Sequence, residues 1–569
     1  MSTFFYNPPQ EEFDAIVVGS GISGGWAAKE LCEKGLKTLV LERGRDVKHI
    51  EDYTTANMDP WDFPHRGEPS RKVKERKPKQ NRTGYTTNEA SEHWFVDDLD
   101  NPYYEDRRFD WIRGYHVGGR SIMWGRHSYR WSDIDFSANG KEGIGVDWPV
   151  RYKDIAPWYD YVEKFIGVSG ENLGLKQLPD GQFLPMMPLN CVEDHFRQEV
   201  SQKMNGRVVT AGRVAHLTGG DFKGRNHCQY RNRCIRGCPF GAYFSSLSST
   251  LPAAEATGNM TLRPNSIVYE IMYDEHTKKA TGVKVLDAES KQTYEFKAKV
   301  VFLCASAIAS ASILLNSKSN RFPEGFGNDS GELGHNIMDH HFRVGASGKF
   351  DGFEDNYYKG RKPNGVYIPR FQNLGGDSDN KDFLRGYGYQ GGASRTDWSE
   401  AINELNFGAD LKEQLLKPGG WSFGMTAFGE TLPDHKNRMY LNPDKKDIYG
   451  MPTVTFDADF GANEHAMRKD MKEQAVAMLE AAGFKDISSY DDIGGMGLGI
   501  HEMGTARMGK DPKTSVLNKF NQVHAAKNVF VTDGSFMASS GCQNPSLSYM
   551  AFTARAVDYA VKELKKMNI

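Results

Sequence analysis

The chain has 569 residues and a formal net charge of −3, and four of its seven cysteines stand singly in the sequence. This length exceeds what one compact core holds and predicts two or three domains. The balanced charge gives no electrostatic reason to expect a nucleic-acid partner. The scattered cysteines do not form a disulfide framework; they are Cys32, Cys191, Cys304 and Cys542.

The N-terminal 21 residues contain no basic region ahead of an apolar core, so no signal peptide is predicted. The longest apolar run, at 300–315, has sixteen residues and includes three serines, which makes it a poor transmembrane segment. We expect it to be a strand that continues into a helix of small residues packed under a cofactor.

Residues 13–44 read as strand, glycine turn, helix and strand. The helix is expected to stop at Gly35, and the following strand ends at Glu42. Such a turn lets the backbone approach a pyrophosphate at the helix N-terminus, while an acid at the strand end accepts ribose hydroxyls. The arrangement predicts a Rossmann-like domain that binds FAD or NAD. Its glycines are Gly19, Gly21 and Gly24, which form G-x-G-x-x-G, followed by Gly25.

The segment 66–82, RGEPSRKVKERKPKQNR, is basic, contains proline and shows no periodicity. We therefore interpret 51–104 as a surface segment: a solvated loop, a lid, or a docking arm for an electron-transfer partner.

Three cysteines fall within eleven residues in HCQYRNRCIRGCP, residues 227–239. They allow structural zinc with His227, a redox dithiol, an iron–sulfur cluster, or no metal at all. Zinc and a dithiol are the weaker interpretations because the paired C-x-x-C spacing is absent. Arginines crowd this segment and would offset the negative charge of a thiolate-bound cluster. The cysteines are Cys228, Cys234 and Cys238, and the arginines are Arg225, Arg231, Arg233 and Arg236.

The region 346–489 contains strand-like runs, NRMYLNP and PTVTFDA, that alternate with turns. Residues 463–484 predict an amphipathic helix that ends at Gly483, with methionines that belong to the core.

The C-terminal region brings together a histidine and an asparagine. His501 lies in GLGIHEMGTARMG, a strand ends at Asp533, and Asn544 precedes Pro545 at the start of a helix. A histidine can remove the proton of an alcohol at neutral pH while hydride leaves the same carbon. The neutral amide of Asn544 can hold the hydroxyl without competing as a base. Taken singly, a histidine satisfied in a turn and a helix cap would explain the two residues equally well.

The glycine turn, VGGRSIMWGR (117–126), ELGHNIMDHH (332–341), HEMGTARMG and NPSLSYMA, in this order, resemble the glucose–methanol–choline (GMC) oxidoreductases. Within that family the chain is most similar to pyranose oxidases and bacterial FAD sugar dehydrogenases, including glucoside 3-dehydrogenases. The resemblance implies FAD as the cofactor, His501 as the general base and Asn544 as the partner of the substrate hydroxyl. It also implies cofactor contacts from Gly118, Gly119, Ser121, Asp533, Asn544 and Pro545.

Two further expectations rest on this resemblance. Relatives that bind FAD covalently use a histidine where this chain has Met123, so non-covalent FAD is predicted. The segment CPFGA (238–242) resembles the end of a cysteine-rich insert that holds a three-iron (3Fe-4S) cluster in bacterial sugar dehydrogenases. This chain departs from them by having His227 before Cys228 in place of a cysteine pair, and by one extra residue before Cys234.

We therefore predict a mixed α/β chain with a Rossmann-like FAD-binding domain (10–50, 105–130, 210–345 and 490–569, with the insert 227–242). A second, sheet-based substrate domain is expected at 131–209 and 346–489. The predicted reaction is oxidation of a secondary hydroxyl of a pyranose or glucoside to a keto sugar. Electrons would pass through the cluster to an external acceptor such as a cytochrome c, with a small partner subunit.

Three alternatives stay open: an oxygen-using sugar oxidase with a structural cysteine cluster, a gluconate-type sugar acid dehydrogenase, and a non-catalytic flavoprotein subunit. The compartment is expected to be the periplasm, by export together with a signal-bearing subunit, or the cytoplasm.

Overall fold

The computed structural model describes residues 12–356, 362, 364–395, 408–416 and 418–569. The first eleven residues, where the absence of a signal peptide is predicted, and parts of the expected substrate domain lie outside the described residues. None of the helices in the described part of the chain combines the length and hydropathy needed to cross a bilayer.

Strands and helices alternate in the first half of the chain, and longer strands dominate the second. The strands are β1 Phe13–Val18, β2 Thr38–Leu41, β3 Tyr104–Glu105, β4 Val168–Ser169, β5 Phe183–Leu184, β6 Thr210–Ala211, β7 Met260–Arg263, β8 Ser266–Asp274, β9 Lys279–Asp287, β10 Thr293–Leu303, β11 Val344–Phe350, β12 Val366–Ile368, β13 Tyr387–Arg395, β14 Trp421–Gly429, β15 Arg438–Lys446, β16 Pro452–Asp457, β17 Lys485–Asp491 and β18 Val529–Val531.

The helices are α1 Ile22–Glu33, α2 Arg71–Arg76, α3 Pro78–Asn81, α4 Asp133–Glu142, α5 Tyr152–Ile166, α6 Cys191–Lys203, α7 Leu251–Glu255, α8 Ala307–Asn316, α9 Gly408–Leu416, α10 Ala462–Ala481 and α11 Ser546–Lys565. Short helical turns lie at Pro60–Asp62, Glu92–Trp94, Gly119–Ile122, Cys234–Arg236, Ser246–Thr250, Gly376–Ser378 and Gly534–Phe536.

The first sheet has the order β7-β2-β1-β10-β9-β8, with β18 pairing the other side of β10. Strands β7, β2, β1, β10 and β18 run parallel, whereas β8 and β9 add antiparallel pairs. All four residues of β2 are buried, as expected for a parallel strand covered on both faces. This is the Rossmann-like layer, and the predicted mixed α/β fold is confirmed.

The second sheet is antiparallel, with the order β17-β11-β14-β13-β12-β6. Helices α6 and α10 pack against it and form a separate core with its buried face. Helix α10 begins at Ala462 and ends at Ala481, followed by Gly483 at φ +78°. The predicted amphipathic helix is therefore confirmed, and Met467, Met471 and Met478 are fully buried as expected.

Two parts of the chain differ from the sequence interpretation. The strand-like runs in 437–458 form β15 and β16 in a small sheet of their own, in which β15 pairs with β16 and β16 pairs with β3. The segment 51–104 is not a surface loop throughout, because it contains α2 and α3 and buries Trp94 in a cluster with Val117 and Ile122.

Candidate active site

The first glycine turn connects β1 to α1. Gly19 has φ +95°, and a Cβ there would lie 2.6 Å from the carbonyl oxygen of Cys304, so only glycine fits. Gly24 packs against the backbone of Gly19, and a Cβ on Gly25 would lie 2.9 Å from Oγ of Ser246. Two glycines of the motif, Gly19 and Gly24, therefore allow the turn and the helix to pack closely.

The N-terminus of α1 faces the cavity described below. Gly21 precedes this helix, and none of the described side chains caps it; its first turn also lacks an acidic residue. The first backbone N–H groups of such a helix are suited to an anionic ligand. At the other end, Gly35 has φ +85°, and the helix stops at Glu33, two residues before the predicted end.

Glu42 follows β2 and is almost completely buried. Ser20 donates to its Oε2 from both the backbone N (3.1 Å) and Oγ (2.6 Å), and Gly44 N donates to Oε1 (3.0 Å). Burial raises the pKa of this carboxyl, although these hydrogen bonds lower it. Glu42 thus both braces the glycine turn and lines the cavity.

The second glycine turn packs against the first. Gly118 N donates to Oγ of Ser20 (3.0 Å), and a Cβ on Gly119 would lie 3.3 Å from Cα of Gly21. Ser121 Oγ donates to Gly118 O (2.5 Å) and accepts from Ser246 N (3.0 Å). Motifs about 100 residues apart in sequence therefore form one wall.

A cavity of about 530 Å³ runs along this wall to His501, a size usual for cofactor and substrate sites. Some of the predicted contact residues line it and others lie behind its wall. The lining residues are Gly19, Gly21, Glu42, Gly119, Ser121, Asp533, His501 and Asn544, together with Met123. The other predicted contact residues do not line the cavity; they are Gly24, Gly25, Gly118 and Pro545.

Asp533 lies at the carboxyl end of β18. Its Oδ2 accepts from Oγ of Ser310 (2.5 Å), and its Oδ1 accepts from the backbone N of Ser535 (3.1 Å). Burial raises the pKa of this carboxyl. Pro545 precedes α11 and places Asn544 at the cavity, so Asn544 is not the residue that caps the helix.

His501 and Asn544 meet at the far end of the cavity. Nδ2 of Asn544 lies 3.3 Å from Nε2 of His501, and Nε2 of Gln390 donates to Oδ1 of Asn544 (2.6 Å). The bond from Gln390 orients the amide, because an oxygen must face that donor and the NH₂ group must then face His501. Burial lowers the pKa of His501 well below its ordinary value, which keeps the imidazole neutral.

The backbone around His501 is held by Asp339. Its Oδ1 accepts from His501 N (2.9 Å), and its Oδ2 accepts from Gly497 N and Gly499 N (both 2.8 Å). Burial, with the nearby charge of Glu502, raises the pKa of Asp339 to about 7. Glu502 itself forms a bidentate pair with Arg120, which joins the second glycine turn to the His501 loop.

The cysteine-rich segment lies directly behind the second glycine turn. The helical turn Cys234–Arg236 contacts the turn Gly119–Ile122, Tyr243 Oη donates to Cys234 O (3.2 Å), and Ile235 lines the cavity. Burial and then the neighbouring thiols of Cys234 and Cys238 raise the pKa of Cys228 to about 11. The three thiols are therefore close enough to affect one another's ionisation.

The described residues contain no group of three or more His, Cys, Asp or Glu side chains arranged to hold one metal ion. His227 Nε2 faces the carbonyl oxygen of Gly220 (2.9 Å), which leaves Nδ1 as its other ring nitrogen, yet no such group among the described side chains includes it. A tetrahedral zinc site does not fit this arrangement. In a cluster of several irons each thiolate binds a different iron, so the thiolates lie further apart than around a single ion.

Three of the four arginines of this segment bond to the same stretch outside it. Arg231 donates to Ala56 O (2.5 Å), Arg233 pairs with Asp59, and Arg236 donates to Met58 O (2.8 Å). They fasten the segment to residues 55–59. The cation that acts most on Cys234 is Arg126, and Arg231 of the segment also lowers the pKa of that thiol against the effect of burial.

The site fits FAD on several independent grounds: an uncapped helix N-terminus, a glycine turn closed by backbone contacts, and a buried acid at the end of β2. The sequence profiles of the GMC oxidoreductase family match residues 13–342 and 433–553. The chain belongs to the GMC oxidoreductase family. It is accordingly an FAD-dependent oxidoreductase that acts on CH–OH groups, and the predicted family and cofactor are confirmed.

Similar proteins span the whole chain. A 2-methyl-1,2-propanediol dehydrogenase from Mycolicibacterium austroafricanum is 27% identical, over 96% of this chain and 95% of the relative. A fructose dehydrogenase large subunit from Gluconobacter japonicus is 26% identical, over 97% and 98%. The crystal structure of pyridoxine 4-oxidase from Mesorbium loti shares the fold, with a TM-score of 0.61 at 15% identity, over 96% of this chain and 99% of that one.

Sequence reasoning missed several residues of this site. Gln390, on β13, carries no local signal. Asp339 and His340 lie in the motif ELGHNIMDHH, and their adjacent acid and imidazole were a signal that could have been read. Arg120 and Glu502 belong to two other motifs, yet only the fold shows that they pair.

Proposed function

We propose that this enzyme oxidises a secondary hydroxyl of a pyranose or glucoside, with His501 as the general base and Asn544 as the group that positions the hydroxyl. The observation that carries the proposal is the 3.3 Å approach of Asn544 Nδ2 to His501 Nε2 at the cavity wall. A substrate hydroxyl at this point would donate to Nε2 and accept from Nδ2.

The residues present act by binding, orientation and proton transfer. Nε2 of neutral His501 takes the hydroxyl proton, and the amide of Asn544, held by Gln390, keeps the hydroxyl aligned. FAD, when bound, accepts the hydride from the same carbon. Glycines and the N-terminus of α1 would hold the dinucleotide, and the similarity to a fructose dehydrogenase large subunit supports a sugar as the substrate.

The test is anaerobic bleaching of the flavin with a panel of glucose, fructose, gluconate and methyl glucosides. The variant His501→Ala should lose about 10²–10⁴-fold in the rate of flavin reduction, the usual contribution of a general base. Asn544→Ala should lose less, because it removes alignment and not the proton acceptor. His276→Ala, on an exposed turn, is the matched control. Retention of more than half the wild-type rate by His501→Ala would remove the base from the mechanism.

We further propose that Cys228, Cys234 and Cys238 hold a three-iron cluster that accepts electrons from FAD and passes them to an external acceptor such as a cytochrome c. The support is the position of the segment, since Ile235 lines the FAD cavity and the thiols affect one another's ionisation. The same proposal includes a small partner subunit and export to the periplasm. Both draw on the similarity to the fructose dehydrogenase large subunit.

Cys234→Ser tests the relay. It should lose iron and its EPR signal together with reduction of cytochrome c, while sugar still bleaches the flavin. Cys191→Ser is the matched control, because Cys191 is a single half-buried cysteine on α6. Zinc instead of iron in the wild-type protein, or an unchanged rate of cytochrome reduction in Cys234→Ser, would contradict the relay and favour an oxygen-using oxidase.

A further inference from the structure

His340 is a buried histidine whose two ring nitrogens face different kinds of group. It lies on the loop before β11 and is 1% exposed. Its Nε2 is 2.8 Å from the carbonyl oxygen of Gly541 and 3.3 Å from that of Ser540. A carbonyl oxygen can only accept a hydrogen bond, so Nε2 of His340 must carry a proton.

The other nitrogen of His340 faces the catalytic imidazole. Burial lowers the pKa of His340, so its ring is neutral and has one proton, which leaves a lone pair on Nδ1. That atom lies 2.9 Å from Nδ1 of His501. Two lone pairs cannot form a hydrogen bond, so Nδ1 of His501 must carry a proton and donate it.

The nitrogen of His501 that faces the cavity is Nε2. The pKa of His501 is also lowered by burial, so its neutral ring has only the proton on Nδ1. Its Nε2 then holds a lone pair, consistent with the approach of the donor Nδ2 of Asn544 at 3.3 Å. The direction of every hydrogen bond in this chain therefore follows from the carbonyl groups at Ser540 and Gly541.

We propose that His340 is a positioning residue that selects the tautomer of His501 with an unprotonated Nε2; the inference rests on the proposed role of His501 as the base. Asp339 holds the backbone of His501 and the adjacent His340 holds its ring. One dipeptide thus fixes both the place and the protonation of the base. Through this contact a proton taken up at Nε2 leaves the Nδ1–H bond to His340 intact, and that bond strengthens as the ring becomes charged.

Other ionisable groups also face the two imidazoles, and they matter for any pH dependence. Arg120 and His127 act on His501 and disfavour its protonation, whereas Glu430 favours protonation of His340. The groups that face the pair are Arg120, His127, Asp339, His341 and Glu430. Because none of these groups accepts from Nδ1 of His501, removal of His340 would leave that proton without its acceptor.

Two substitutions separate the two hydrogen bonds of His340. In His340→Asn the amide oxygen can take the position of Nδ1 and accept from His501. In His340→Gln the longer amide can donate to the carbonyl oxygen of Gly541 but leaves His501 Nδ1 without an acceptor. Both side chains are neutral and smaller than the imidazole ring, so each serves as the control for the other in volume and charge.

We expect His340→Gln to reduce the rate of flavin reduction at saturating sugar by about 10²-fold, less than the ~10⁴-fold lost when an orienting carboxylate of a catalytic histidine is replaced, because His340 is neutral. His340→Asn should recover about tenfold of that loss. FAD content should stay at the wild-type level in both variants, and KM should change less than kcat. Equal rates in the two variants, or a loss confined to KM, would overturn the proposal.

A second measurement does not depend on activity. Neutron diffraction from crystals of the deuterated wild-type holoenzyme should show a deuteron on Nδ1 of His501 and none on Nε2. A deuteron on Nε2 would overturn the assignment. If His501→Ala reduces its flavin at more than half the wild-type rate, the proposed base is wrong while the tautomer remains measurable. If His501→Ala is inactive and His340→Gln keeps the wild-type rate, only the positioning role fails.

Discussion

Two glycines of one motif should respond differently to the same substitution. In Gly24→Ala the new Cβ would lie 2.7 Å from the carbonyl carbon of Gly19 and closer still to its oxygen. In Gly21→Ala, no heavy atom of the described structure lies within 4 Å of the new Cβ, and φ is −71°, which any residue adopts. Alanine at 24 therefore collides with the turn, whereas alanine at 21 enters the cavity.

The expected magnitudes follow from these contacts. At Gly24 the approach to the carbonyl carbon falls about 0.7 Å short of ordinary contact, and backbone cannot rotate away as a side chain can, so a destabilisation of about 3 kcal/mol is expected. The gain in helix propensity from glycine to alanine is about 1 kcal/mol and does not offset it. For Gly21→Ala, at the N-cap of α1, the change should stay below about 1 kcal/mol.

The assay compares the protein without and with FAD. Chemical denaturation of the flavin-free protein should show a lower midpoint for Gly24→Ala and a near wild-type midpoint for Gly21→Ala. Titration with FAD should show weakened binding in both, because Gly21 lines the cavity and the turn containing Gly19 shifts in the other variant. A wild-type midpoint for Gly24→Ala, or equal destabilisation by the two substitutions, would refute this reasoning.

Three other predictions concern the active site. Gln390→Glu should slow flavin reduction more than Gln390→Ala. In the glutamate variant a carboxylate would face Oδ1 of Asn544 at about the present 2.6 Å and turn the amide group away from its orientation toward His501. A slower rate for Gln390→Ala than for Gln390→Glu would contradict this prediction. Since burial lowers the pKa of His501, its neutral form persists in mild acid, whereas Asp339, with a pKa raised to about 7, gains a proton between about pH 8 and pH 6. Any loss of rate in this range should therefore be absent from Asp339→Asn; an acid limb near the ordinary histidine value that Asp339→Asn retains would exclude a depressed pKa for His501. Because Met123 stands where relatives use a linking histidine, acid precipitation should leave the flavin in the supernatant, and a yellow pellet would disprove non-covalent binding.

The local sequence pattern was sufficient to predict the elements whose stability depends on nearby residues. The strand, turn and helix at 13–33 and the helix Ala462–Ala481 were predicted to within a few residues, because glycine at positive φ and apolar periodicity act over one or two turns. The family motifs also marked His501 and Asn544, which the fold brings within 3.3 Å.

Residue types alone were not sufficient to assign contacts between distant segments. The four arginines near the cysteines suggested charge compensation, and Arg231 does lower the pKa of Cys234, but the bonds of Arg231, Arg233 and Arg236 to the segment 55–59 had no signal in the sequence. Likewise, the strands β15 and β16 were recognised, but the pairing of β16 with β3, more than 300 residues earlier, was not. A strand's propensity does not specify its partner, because pairing depends on which edge the fold leaves open.

The protonation of the proposed base, His501, likewise depends on contacts between distant segments. Gln390 and Asn544 are 154 residues apart, and His340 and His501 are 161 apart. Neither pairing has a local pattern, since each depends on the antiparallel sheet and the Rossmann-like layer meeting at the cavity. The sequence supplied the chemical groups of the proposed reaction, whereas the proposed tautomer of His501 depends on tertiary packing, because only packing brings two carbonyl oxygens against Nε2 of His340.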